Sequence, residues 1–311
     1  MKLELLIHRF GNYRKLLNQS VRTIEENFYN LNHLKKFLEQ KGISDVTAVT
    51  QNTLSEFQHW LFYQPTWKGT ARSIANQNRI LSVVRGFFKF LTKEGYLGQN
   101  PARDLELARE PQSLPRNILT PGEAKKILES VDTTTALGYR DRTILEVFYS
   151  TGIRQSELIH LKIEDVNLEE ELLKINQGKG GKDRVVPLTR TASSFLETYI
   201  KGIRPELLFR KNSDTLFLSV RGRPLDRYNL GKMVKSRSQA AGVKKLVTCH
   251  VWRHTCATHL LQNRANLRHV QEILGHESLA MTERYLRITI TDLKEAHRKF
   301  HPREKDVEKA L

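Results

Sequence analysis

The sequence predicts a mainly α-helical protein with a small β-sheet in its C-terminal domain, an N-terminal helical bundle being followed by a mixed α/β domain. Three observations predict this. The chain has 311 residues, more than one compact domain usually holds, so two cores are expected. Apolar residues recur at helical spacing through much of its length. A single segment around Gly180 reads as two short apolar runs joined by a glycine-rich turn, as a hairpin does.

The elements follow in order. Thr23 and Glu26 predict a capping box, and Ile24, Phe28, Leu31, Leu34 and Leu38 form one apolar stripe before Gly42 can end the helix. A second helix is expected around Leu54, Phe57, Trp60 and Leu61. Between Ser73 and Gly95 the set Ile80, Leu81, Val84, Phe87, Phe88 and Leu91 repeats at helical spacing, while Arg72, Arg79, Arg85 and Lys89 give that segment a cationic surface. Such a surface suits DNA phosphates or is simply a solvated face, and the segment alone does not separate the two. Residues 1–100 are therefore read as the first domain. Pro101, Pro111 and Pro115 interrupt a polar stretch, which places a linker at 101–116.

A second domain, 117–292, opens at Thr120-Pro121-Gly122-Glu123, which supplies an N-cap, a proline at the first helical position and a capping-box glutamate. Helices are expected through Ser150 and again after Arg154. Leu172–Gln177 and Arg184–Leu188 read as strands around the turn Gly178–Asp183. A helix from Tyr228 to Ala241 stops at Gly242, and a long helical run begins near His250. In the tail, 293–311, Leu293, Ala296 and Phe300 before His301-Pro302-Arg303 suggest a short amphipathic helix closed by proline.

Charge narrows the function. Lys and Arg outnumber Asp and Glu by 51 to 34, a net +17, which points to a polyanion held through its phosphates. An anionic lipid surface is the alternative that charge alone permits. Arg221, Arg223, Arg227, Lys232, Lys235 and Arg237 stand against one acidic residue, Asp226, and fit a phosphate track. No apolar run is long enough for a membrane span, the N-terminus lacks the pattern of a signal peptide, and two cysteines give no disulfide framework. A cytoplasmic protein with no membrane partner is expected.

Cutting a phosphodiester without a metal needs a nucleophile, donors for the non-bridging oxygens and an acid for the departing oxygen. Arginine suits the second task, because its planar fork holds two phosphate oxygens and keeps its charge. His250 and Arg253, three residues apart on one helix, share a face. Arg154 begins another helix, Lys179 sits at the hairpin turn, and His276 and Tyr285 complete the set. Cys249, His250, His254, Cys256 and His259 invite a zinc reading, but the cysteines lack a paired ligand motif. The glycine-rich turn is no nucleotide loop, since Asp183 follows Lys182 where Ser or Thr is needed. No metal and no cofactor are expected.

At these residues the chain resembles the tyrosine recombinase and phage integrase family, most closely its Xer-type members. The segments that carry the resemblance are TGIRQSEL, GKGGKDRVVPL, HVWRHTCATHLL, LGHES, ERYLRI and the terminal FHPR. The N-terminal part matches only in general character. The resemblance implies a site-specific DNA recombinase in which Arg154 and Arg253 clamp the scissile phosphate and Tyr285 attacks it. Lys179 would protonate the 5′ oxygen, with Lys182 on the same turn as its rival, and His250 and His276 would support proton transfer. A 3′-phosphotyrosine would store the bond energy, so that neither metal nor ATP is required. It further implies a clamp of both domains around double-stranded DNA, a homotetramer on two sites with a dimer on each, and a tail exchanged between protomers. A second recombinase or accessory factor, and the choice among integration, excision, inversion and resolution, stay open. A type IB topoisomerase, a non-enzymatic DNA-binding factor and a metal-dependent nuclease are the competing readings.

Overall fold

The computed structural model describes residues 2–66, 68–110, 117–176, 183–208 and 212–275. The chain divides into two compact units, Met1–Gln112 and Ser113–Leu311. Lys179, Lys182, His276, Tyr285, the tail 293–311 and residues 111–116 of the expected linker lie outside the described residues.

The first unit is built from α1 (Leu3–Leu16), α2 (Val21–Gln40), α3 (Gln51–Tyr63) and α4 (Ile74–Lys93). α2 starts before Thr23: Ser20 is its N-cap, accepting a bond from the Thr23 backbone N–H at 3.2 Å. The Thr23/Glu26 spacing misled because serine caps as well as threonine, and Ser20 lies three residues upstream. The expected α4 stripe, Ile80 to Leu91, is buried throughout. It meets Leu6 and Phe10 of α1, Leu31 and Leu34 of α2, and Phe57 and Leu61 of α3 in one core. Each such side chain contributes about 1.5–3 kcal/mol by leaving water. On α2, Ile24 and Phe28 are only half-buried, and Asn27 and Asn30 share the inner face.

The start of the segment read as a linker folds onto this unit. Ala102 and Leu105 are buried in its core. The Asn78 amide donates to the Ala108 carbonyl at 2.8 Å and to the Glu110 carboxylate at 3.0 Å, and its carbonyl accepts from the Ala108 N–H at 3.1 Å. A proline-punctuated stretch can thus be anchored by two apolar residues and one buried amide.

His33 on α2 gives this unit a pH dependence. Burial, reinforced by the positive charges of Arg72 and Lys36, pushes its pKa down from 6.5 to about 4, and its Nε2 is buried without a partner among the described residues. Between those values the unfolded chain takes up a proton that the folded chain refuses, so stability falls as pH drops through this window. Melting curves at several pH values should show His33→Gln losing less stability than the parent between pH 6.5 and pH 4. An identical slope for both would remove His33 from this role.

The second unit contains α5 (Pro121–Glu129), α6 (Ala136–Thr151), α7 (Gln155–His160), β1 (Val166–Asn167), β2 (Leu172–Ile175), β3 (Arg184–Pro187), α8 (Arg190–Thr198), α9 (Arg204–Leu208), α10 (Arg227–Ala240), α11 (Cys249–Gln262) and α12 (Leu267–Leu274). The Thr120/Glu123 capping box forms as expected: Thr120 Oγ1 accepts from the Glu123 N–H, and Glu123 Oε2 from the Thr120 N–H at 2.7 Å. The sheet is antiparallel in the order β1-β2-β3, with Leu173 opposite Val166 on one side and Val186 on the other. β1 was not expected, since two residues show no alternation. The fold is mainly helical with a small sheet, as the sequence predicts.

α11 is the central helix of this unit. Val251, Trp252, Thr255, Cys256, Ala257 and Thr258 are buried, and the helix packs on α6, itself buried along Ile144, Leu145, Val147 and Phe148. The first residues of the unit are pinned to α11. The Leu119 N–H donates to Thr255 Oγ1 at 3.1 Å. His259 reaches the Leu119 carbonyl with Nε2 at 2.9 Å and Tyr149 Oη with Nδ1 at 2.8 Å. Because a carbonyl only accepts, Nε2 carries the proton and Nδ1 accepts from the phenol. Among the described residues no helix is long and apolar enough to cross a membrane.

Candidate active site

Three guanidinium groups meet where α6, α7, β3, α11 and α12 converge. Arg154 is the N-cap residue of α7 and lies two residues after Gly152, which ends α6 at φ 58°. A Cβ on Gly152 would lie 2.8 Å from Leu274 Cδ2 and 3.3 Å from Cys256 Sγ. A glycine here therefore lets α6 end tightly against α11 and α12. Arg253 extends from α11 and is only 4% exposed. Arg184 is the first residue of β3.

The C-terminus of α12 holds the three together. Its last carbonyls have no intrahelical donors and carry the negative end of the helix dipole. Arg184 Nε donates to Ile273 O at 3.0 Å, Arg253 Nη2 to Leu274 O at 2.7 Å and Arg154 Nη2 to Gly275 O at 2.8 Å. Successive carbonyls thus take one arginine each, and the next residue in the chain is His276. Arg253 Nη1 also donates to Gly152 O at 2.7 Å. Gly275 closes α12 at φ 62°, and a Cβ there would sit 3.0 Å from the Arg184 guanidinium.

Glu157, one turn into α7, is the acidic member. Its Oε1 accepts from Arg154 Nη1 at 2.7 Å and Arg184 Nη1 at 3.0 Å, and its Oε2 from the Arg154 N–H and Arg184 Nη2, both at 2.8 Å. The carboxylate is 4% exposed. Burial alone would raise its pKa, but the hydrogen bonds from Arg184 and from the Arg154 backbone, with the charge of Arg184, outweigh it and hold it at about 2. Arg154 is thus paired with Glu157 and faces the other arginines as well. Three arginines against one carboxylate leave an excess of positive charge suited to a phosphate.

His250 lies one turn before Arg253 on α11. Partial desolvation and the positive charges of Arg253 and Arg154 lower its pKa, which favours the neutral imidazole. Its ring makes an edge-on contact with His254 at 5.6 Å. Of the side chains of the zinc reading, the thiols of Cys249 and Cys256 are pushed up to about 12 by burial, and His259 is committed to Tyr149 and Leu119. Among the described residues no three His, Cys, Asp or Glu side chains gather as a metal site.

The basic residues fall in separate places. Arg221, Arg223, Lys232 and Arg237 line a cavity of about 680 Å³ beside α10, floored by Arg140 and Asp141. Within it Arg237 is committed to the buried Asp141, its Nε and Nη2 donating to Oδ2 at 2.9 and 2.7 Å. Arg227 and Lys235 are exposed on the same helix, Lys235 lining a smaller hollow. In the first unit Arg79, Arg85 and Lys89 are exposed on α4. Arg72 is half-buried and donates to Asn76 Oδ1 at 3.1 Å. Sequence reasoning missed Arg184 as a partner of this site. No spacing rule links it to Glu157, and the only signal was an arginine opening an otherwise apolar strand.

Residues 117–291 match the phage integrase family profile, and residues 7–95 that of the phage integrase N-terminal SAM-like domain. The chain belongs to the phage integrase family. It is similar to tyrosine recombinase XerD of Staphylococcus haemolyticus, with 37% identity over 274 residues, 88% of this chain and 90% of that protein. Among solved structures, it is similar to the XerH site-specific recombinase bound to palindromic difH substrate in a post-cleavage complex, with TM-score 0.73 and 27% identity over 92% of this chain and 82% of that one. A lambda integrase dimer bound to a COC′ core site shares the fold, with TM-score 0.70 and 19% identity over 92% of this chain and 95% of that one. The chain is an Xer-type tyrosine recombinase, a site-specific DNA recombinase. The arginine cluster of this recombinase falls within the segment matched by the family profile.

Proposed function

We propose that this recombinase cleaves and rejoins double-stranded DNA at a specific site, Arg154 and Arg253 holding the scissile phosphate and Tyr285 attacking it. The convergence of these two arginines on the last carbonyls of α12 carries the reading, because it assembles fixed positive charge directly before the segment that contains His276 and Tyr285. The phenol oxygen forms a bond to phosphorus as the bond to the 5′ oxygen breaks, giving a 3′-phosphotyrosine and a free 5′ hydroxyl. Lys179 supplies the proton to the departing oxygen. His250 and His276 hold or pass protons, and the arginines stabilise the charge on the non-bridging oxygens. Attack by a second 5′ hydroxyl reverses the step, which needs neither metal nor ATP.

The first unit, with Arg72, Arg79, Arg85 and Lys89, and the region from Arg221 to Arg237 contact DNA phosphates, Lys182 among the hairpin contacts. Each site takes a dimer and two sites a tetramer in the cytoplasm, with room for a second recombinase or accessory factor. The tail 293–311 exchanges between protomers. Deletion from Leu293 should preserve single half-site binding and weaken cooperative filling of paired sites and strand exchange. A truncated protein that recombines normally removes the tail from assembly.

The test begins by sequencing DNA captured by the protein and placing two copies of the enriched site on a plasmid. Recombination with chelator present is expected. Relaxation of a plasmid without the site would instead favour a type IB topoisomerase. Lys179→Ala should slow cleavage strongly, and a 5′-thio leaving group, which departs without a proton, should restore much of the rate. Rescue of Lys182→Ala instead would transfer the acid role to Lys182.

A further inference from the structure

We propose that Arg184 is a positioning residue of the cleavage centre: it takes up the Glu157 carboxylate, so that the charge and orientation of Arg154 are left to the DNA phosphate. The inference rests on the reading of Arg154 as a phosphate clamp.

The geometry supports it in three respects. Arg184 meets Glu157 with two parallel bonds, Nη1 to Oε1 at 3.0 Å and Nη2 to Oε2 at 2.8 Å, while the Arg154 side chain reaches the carboxylate through Nη1 alone. The bidentate partner is thus Arg184, and such forked pairs are the stronger ones. The cluster is shielded, with Glu157, Arg184 and Arg154 side chains 4%, 13% and 17% exposed, so charges there are only weakly screened by water. Arg184 is itself anchored by Nε on Ile273 O at 3.0 Å and bears on the glycine that closes α12. Without Arg184, a buried carboxylate would face Arg154 as its remaining cationic partner among these contacts. Arg154 would then be drawn to Glu157 and its charge offset, as would its value to a phosphate.

Covalent adduct formation on a nicked suicide substrate, followed in a single turnover, tests this. R184Q should slow the step on the order of ten- to hundredfold, less than the ~10²–10³ typical of losing a direct oxyanion donor, with half-site binding nearly unchanged. R184K keeps the charge and should lose less than R184Q. Two readouts separate charge balance from mere packing. E157Q/R184Q should cleave faster than R184Q, since the neutral amide no longer competes for Arg154. It also removes the buried carboxylate that R184Q leaves short of a partner and restores the excess positive charge of the parent cluster, so it should fold even where R184Q does not. A scissile methylphosphonate, which lacks one negative oxygen, should narrow the gap between parent and R184Q.

The inference is overturned if R184Q cleaves at the parent rate, if R184K is as slow as R184Q, if E157Q/R184Q is no faster than R184Q or as inactive as R154Q, or if the methylphosphonate leaves the gap unchanged. R154Q serves as control for the underlying reading. It should be severely slowed on phosphate and less so on methylphosphonate, and an R154Q protein that cleaves normally would sink the clamp itself, whatever Arg184 does.

Discussion

Tyr285→Phe is expected to form no covalent adduct with a nicked suicide substrate while binding a half-site as the parent does. The substitution removes one oxygen and keeps the ring, so packing and charge are unchanged and only the attacking atom is lost. Where catalytic groups act as a unit, losing the nucleophile costs orders of magnitude in rate, and on the order of 10⁴-fold or more is expected here. A denaturing gel reads the adduct and a mobility shift reads binding. An adduct that persists in the variant would mean that another residue attacks.

Arg253→Ala should damage both chemistry and fold. In the folded unit Arg253 satisfies the carbonyls of Gly152 and Leu274, and its truncation leaves two buried acceptors without those donors, at roughly 1–3 kcal/mol each. The α6 terminus and the α12 terminus would also lose their common tie. Cleavage should fall by about 10²–10³-fold or more, since the proposed phosphate clamp loses a fixed cation. Arg253→Lys separates the two effects. Lysine keeps a buried cation but lacks the fork that spans two carbonyls and that the proposed phosphate clamp requires, so it should retain more of the melting temperature than alanine while remaining strongly impaired in cleavage. A lysine variant with normal cleavage would show that charge alone suffices.

The helical stripes were legible because burial imposes a period that single residues cannot hide: Ile80 to Leu91 lie in one core. The Thr120/Glu123 cap was legible because it is a local hydrogen-bond pattern of fixed spacing. What escaped is non-local or too short to carry a period. Ser20 rather than Thr23 caps α2, β1 has two residues, and Ala102 and Leu105 reach the first core from a proline-rich stretch. In the site, Arg154, His250 and Arg253 could be named from motif and resemblance. Their meeting point could not, because the acceptors are backbone carbonyls of Ile273, Leu274 and Gly275, which every sequence possesses. Arg184 escaped for the related reason that its partner Glu157 is 27 residues away in the chain.

The most direct test of the account is to digest the covalent complex formed on a suicide substrate in the presence of chelator and to identify the modified peptide by mass spectrometry. The account predicts a nucleotide joined through its 3′ phosphate to Tyr285, and a free 5′ hydroxyl on the released strand. Attachment to another residue, a 5′ linkage, or cleavage that stops when metal is removed would contradict it.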